Sequence, residues 1–71
     1  MTLDEALEYA AQHLPRGAEV EIYVEKDAAT VAISDWDGNW RGDFDVADMT
    51  LAEQVMDCVK WANEQPQPHN A

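Results

Sequence analysis

From Glu19 to Glu25 the chain reads Glu-Val-Glu-Ile-Tyr-Val-Glu, a strict alternation that fits an extended strand, where successive side chains point to opposite faces. Val20, Ile22 and Val24 share one face; Glu19, Glu21, Tyr23 and Glu25 share the other. A strand with one apolar and one charged side belongs at the boundary of a core, which predicts an antiparallel sheet covered on one face only. A second strand is expected from about Thr30 to Asp35, with Val31 and Ile33 as its apolar set. A third is expected from about Asn39 to Asp45, with Trp40, Gly42 and Phe44 in phase.

The turns must respect that phase. The connection within Lys26 to Ala29 needs an even number of residues to keep Val24 and Val31 on one face. If Asp37-Gly38 forms a two-residue turn, Trp36 pairs with Asn39, and Trp40 and Phe44 join Val31 and Ile33. A three-residue loop would throw Val31 and Ile33 to the side opposite Phe44. The hydrophobic pattern therefore predicts the two-residue turn.

Helices flank the strands. Thr2-Leu3-Asp4-Glu5 is a capping box, followed at helical spacing by Leu3, Ala6, Leu7, Ala10 and Leu14 and ended by Pro15-Arg16-Gly17. Thr50-Leu51-Ala52-Glu53 repeats the device ahead of the apolar stripe Leu51, Val55, Cys58, Val59 and Ala62. The order α-β-β-β-α predicts an α+β fold: a three-stranded antiparallel meander with two helices packed on one face. Residues 1–64 are expected to form a single domain. The stretch 65–71, Gln-Pro-Gln-Pro-His-Asn-Ala, has no apolar anchor and is expected to be a disordered C-terminal tail.

Charge narrows the range of functions. Fifteen Asp and Glu against four Lys and Arg give a formal net charge of −11. Such a chain is repelled by phosphate, so direct binding to nucleic acid or to an anionic membrane is not expected, and basic partners are favoured. No apolar run approaches the length of a membrane span, and acids stand where a secretory leader would be basic and then apolar. The lone Cys58 fits a reducing compartment, so the expected location is cytoplasmic.

The sheet face turned to solvent is the candidate site. It is expected to carry Glu19, Glu21, Tyr23 and Glu25 from the first strand, Thr30, Ala32, Ser34 and Trp36 from the second, and Asn39, Arg41, Asp43 and Asp45 from the third. Carboxylates two residues apart on a strand are roughly 6.7 Å apart. That is close to the roughly 7 Å between successive phosphates of one DNA strand. The rows Glu19-Glu21 and Asp43-Asp45 can thus imitate backbone phosphate, with Tyr23 and Trp36 as anchors that can be desolvated. Glu19, Glu21, Tyr23, Glu25, Trp36, Asp43 and Asp45 are the expected partner-binding residues. In size, charge and this acidic face the chain resembles the small acidic inhibitors of bacteriophages and mobile elements, including anti-CRISPR proteins, restriction inhibitors and other DNA mimics. The resemblance carries no sequence motif. It implies blocking of a host nuclease or surveillance complex at its nucleic-acid-binding surface.

Other chemistry finds little support. In Asp35-Trp36-Asp37-Gly38-Asn39 the glycine is fourth rather than sixth, and Val46 stands where a calcium loop ends in Glu, so a hairpin turn is the better reading and no metal is expected. Cys58 falls on a helical apolar stripe, which predicts a buried, inert thiol, and His13 is placed to cap a helix C-terminus. Arg41-Gly42-Asp43 is read as a coincidental adhesion tripeptide. Ser34, the only serine, falls in a strand, unlike the Asp-Ser-Leu site of acidic carrier proteins. The expectation is a non-enzymatic, cofactor-free inhibitor that binds a basic protein surface, as a monomer or weak homodimer. The alternatives are an immunity-type partner of a basic toxin nuclease, or an accessory subunit whose charge serves only solubility. Dense like charge predicts that moderate salt raises the melting temperature by screening repulsion. A thermal melt at low and moderate ionic strength checks this; a flat or falling value contradicts it.

Overall fold

Both capping boxes form, and each starts a helix. Thr2 Oγ1 accepts from the Glu5 amide at 3.1 Å while Glu5 Oε1 accepts from the Thr2 amide at 2.8 Å. Thr50 and Glu53 repeat the pair at 3.1 and 2.9 Å. In both helices the returning backbone amide and the cap hydroxyl hold the Glu carboxyl below its ordinary range. The computed structural model describes residues 1–42 and 49–66. They form α1 (Leu3–His13), β1 (Glu19–Glu25), β2 (Ala28–Ser34), β3 (Trp40–Arg41) and α2 (Leu51–Glu64), with the sheet in the order β1-β2-β3. The expected α+β fold with a helix at each end is the one observed.

α2 packs against β2, and α1 packs against α2. The two helices point the same way. Asn63 Nδ2 on α2 donates to the His13 carbonyl at the end of α1 at 3.1 Å, and Met1 lies beside Met49 and Thr50 at the other end. Close approach is possible because the facing residues are small: Ala6, Ala10, Ala52, Cys58 and Ala62 are buried, with Val31, Ile33, Val55 and Val59 completing the core. Among the described residues no aromatic side chain is fully buried in it. Leu7, expected on the stripe of α1, sits on its shoulder and is exposed. Gln54, absent from the expected apolar face of α2, is buried there. The expected tail at 65–71 lies outside the described residues from position 67; Gln65 itself caps α2, its side chain donating to the Trp61 carbonyl at 3.1 Å.

Pro15 to Ala18 make a turn closed by the Ala18 amide on the Pro15 carbonyl, with Gly17 at φ +91. A side chain on Gly17 would also meet Trp36 Cβ at 2.9 Å, so glycine is needed here twice over. The β1–β2 hairpin follows the expected parity: Glu25 pairs with Ala28 across Lys26-Asp27, and Val20, Ile22 and Val24 face Ile33, Val31 and Ala29. Their exposure rises along the strand. Val20 is half-buried against the core, Ile22 is 37% exposed and Val24 77%. The far end of the hairpin therefore runs out past the cover of the helices, in a molecule 44 Å long and 22 Å across.

The second hairpin departs from expectation. Ser34 pairs with Trp40 and Ile33 with Arg41, which makes Trp36-Asp37-Gly38 a three-residue loop. The Gly38 amide reaches the Asp35 carbonyl at 3.3 Å and the Asp35 amide donates to the Asn39 carbonyl at 2.9 Å. With Gly38 at φ +85, this is a type I turn followed by a left-handed glycine bulge. The carboxylate of Asp35 fixes it: Oδ1 accepts from the amides of Asp37 and Asn39, each at 2.9 Å, and Oδ2 from the Asn39 side chain at 2.8 Å. The local hydrogen bonds, not the apolar count, choose the loop length. Every residue of β3 thereby changes face.

Burial pushes the Asp35 carboxyl up, but the donors from Asn39, Asp37 and Gly38 outweigh it and hold the group below its ordinary range. A depressed carboxylate adds stability above its unfolded pKa, and that stability is lost as pH falls through the folded value. Asp35→Asn is expected to lower the melting temperature by several degrees above about pH 5, with the gap to wild type closing in acid. Melts of both proteins across that range check it, and a gap independent of pH would contradict it. Cys58 is fully buried; desolvation, with Asp57 nearby, pushes its thiol up to about 12 against a smaller opposing effect of Arg41. At pH 8 a thiol reagent should label it on the order of a thousandfold more slowly than a free cysteine, until denaturant unfolds the chain. Fast labelling of the folded protein contradicts that.

Candidate partner-binding face

The β1–β2 register gathers the charged side of β1 on the sheet face away from the core. Glu19 stands opposite Ser34, Glu21 opposite Ala32, Tyr23 opposite Thr30 and Glu25 opposite Ala28. All four β1 residues are exposed, as expected from their phase. Their partners on the central strand are small, so the face has a low middle with carboxylates along one margin. Ala32 is buried although it lies on this face. The Tyr23 hydroxyl donates to Glu21 Oε2; this bond, then burial, then the Glu21 charge hold the phenol above its ordinary pKa.

Two aromatic assignments change with the β3 register. Trp36, expected on the open face, is half-buried at the loop, with the backbone of Gly17 against its Cβ. Trp40, expected in the core, lies on the open face beside Ser34 and is 59% exposed. Its ring crosses Gly42 so closely that a Cβ there would meet Cη2 at 2.4 Å. Arg41, expected on the open face, shares the side of Ile33 instead and lines a small cleft with Asp57, Lys60, Trp61 and Glu64. Asp43 and Asp45 lie outside the described residues, as does Phe44.

The described part of the open face thus carries Glu19, Glu21 and Glu25, the exposed rings of Tyr23 and Trp40, and no cation. Sequence reasoning missed Trp40. The signal was present in Asp35-Trp36-Asp37-Gly38, where Asp at the first position and Gly at the fourth mark a type I turn.

Other chemistry can be placed as well. Among the described residues no group of three or more His, Cys, Asp or Glu comes together to hold a metal ion. Asp35 Oδ1 accepts from two backbone amides and Oδ2 from the Asn39 side chain, so the loop is organised by its own amide groups. His13 donates through Nδ1 to the Tyr9 carbonyl at 2.9 Å and stacks on the Tyr9 ring at 4.0 Å, serving the end of α1. No described helix is long and apolar enough to cross a membrane. Comparison of the chain with protein-family models, with curated proteins and with solved structures gives no match.

Proposed function

We propose that this protein is an inhibitor that occupies a positively charged, nucleic-acid-binding surface of another protein, with the open sheet face as its contact. The observation that carries the reading is the row Glu19, Glu21 and Glu25 on one exposed face, beside two exposed aromatic rings and with no positive charge on the described part of that face. The spacing of roughly 6.7 Å between alternate strand residues suits a surface built to hold successive phosphates. A field of this sign speeds encounter with a cationic site, and rings that shed water supply affinity once contact is made. Phosphate mimicry of this kind accords with the small acidic inhibitors of nucleases and surveillance complexes that the chain resembles in size and charge. In this reading the protein acts in the cytoplasm as a monomer or weak dimer, without a cofactor.

The test compares two variants of equal charge change. One carries Glu19→Gln, Glu21→Gln and Glu25→Gln on the sheet. The other carries Asp4→Asn, Glu8→Gln and Glu64→Gln on the helices. Partners captured by wild type from a host lysate are titrated against both variants and against duplex DNA and RNA. The sheet variant is expected to lose about tenfold or more in affinity, the helix variant little, and nucleic acid should compete. Trp40→Ala and Tyr23→Ala should each cost about 2 kcal/mol or more. Equal losses from both triple variants, or no competition by nucleic acid, would overturn the reading.

A further inference from the structure

β1 is an edge strand. Its inner side pairs with β2 over all of Glu19–Glu25, and its outer side pairs with no strand among the described residues. Seven extended residues present roughly 23 Å of backbone, half of whose N–H and C=O groups point away from the sheet. The side of this strand toward the helices adds an apolar surface that the helices do not reach: Ile22 is 37% exposed and Val24 77%. An unpaired edge flanked by uncovered β-branched side chains is a template for one more strand.

Charge decides what that strand is. A second copy pairing antiparallel through β1 must set odd positions against odd positions to keep the apolar sides together. Every such register with at least five paired positions places glutamates opposite each other: Glu19 against Glu25, Glu21 against Glu21, or Glu21 against Glu25. Like charges directly opposite each other destabilise a sheet. A strand with Lys or Arg at alternate positions and apolar residues between satisfies both sides at once. Its cations meet Glu19, Glu21 and Glu25 on the open face, and its apolar residues cover Ile22 and Val24 on the other.

We infer that the outer edge of β1 accepts an extended basic segment of the partner protein as a fourth strand. This deepens the proposed function and rests on its reading of the partner as basic. Backbone pairing supplies affinity and alternate side chains supply selectivity. The sheet then extends past Val24, where the hairpin overhangs the helices.

The probe is a nine-residue peptide alternating lysine with valine and threonine, capped at both ends. Three controls accompany it: the same peptide N-methylated at alternate residues on one edge, with a second version methylated on the other edge; a peptide of the same composition with its lysines in one block; and one with threonine in place of lysine. The alternating peptide is expected to bind at least about tenfold tighter than the block peptide and than one of the two N-methylated forms, and to slow hydrogen exchange of β1 amides. Ile22→Thr with Val24→Thr, which keeps charge and strand propensity, should weaken binding by a similar factor. If both N-methylated forms and the block peptide bind as well as the parent, the edge is not used and only the acidic field acts, so this inference fails while the proposed function stands. If the threonine peptide binds equally well with the same protection of β1, the basic partner is wrong and the proposed function fails with it. If the protein alone forms a dimer that protects β1, the occupant is a second copy and the inference is overturned.

Discussion

The carboxylate of Asp35 organises more of this molecule than its position at a loop suggests. Its two oxygens collect three amide hydrogens from Asp37 and Asn39, which fixes a loop of three residues between β2 and β3. Because side chains alternate along a strand, an odd loop and an even loop give opposite assignments for everything after it. The odd loop sends Trp40 to the open face and Arg41 to the helix side, toward Asp57 and Cys58. One turn therefore sorts charge as well as shape, since it removes a cation from the face where the glutamates of β1 stand.

The core that supports this sorting is made of small parts. Among the described residues alanine, valine, isoleucine and one cysteine fill it, and the largest fully buried side chain there is that of Ile33. Small residues let α1 and α2 lie close, but they bring little apolar area per residue, so a chain of this size gains limited stability from burial. Local hydrogen bonding then carries a larger share. Two capping boxes start the helices, the Asn63 side chain ties their C-terminal ends together, and the Asp35 loop closes β2 onto β3. Three of these devices depend on ionised carboxylates, Glu5, Glu53 and Asp35, each held below its ordinary pKa. The acidity of the chain thus acts in two directions: crowded surface charge opposes folding, while particular carboxylates are bound into it.

Much of this was legible from residues alone. The capping boxes gave both helix starts, and the alternation in Glu19–Glu25 with its even turn gave the β1–β2 register and the composition of the acidic margin. Two features were not legible by the route taken. Counting apolar residues on each face favoured burying Trp40, but a buried acid with three donors outweighs the partial burial of one ring, and the Asp-x-x-Gly turn signal pointed that way. The exposure of Ile22 and Val24 depends on where the helices end over the sheet, and no local pattern in the strand records the extent of a neighbour. Trp36 follows from the first of these: the loop turns it back, and Gly17 in the α1–β1 turn leaves room for it.

The length of the Trp36-Asp37-Gly38 loop has a consequence for how this protein can change over generations. Substitutions within β3 alter one side chain at a time and leave the rest of the face as it was. Loss or gain of a single codon in the loop exchanges the two sides of β3 in one step, turning toward the helices what faced outward and outward what lay on the helix side. Descendants of this chain can therefore drift widely in the identity of their surface residues. They are held far more tightly to a count of three between Asp35 and Asn39.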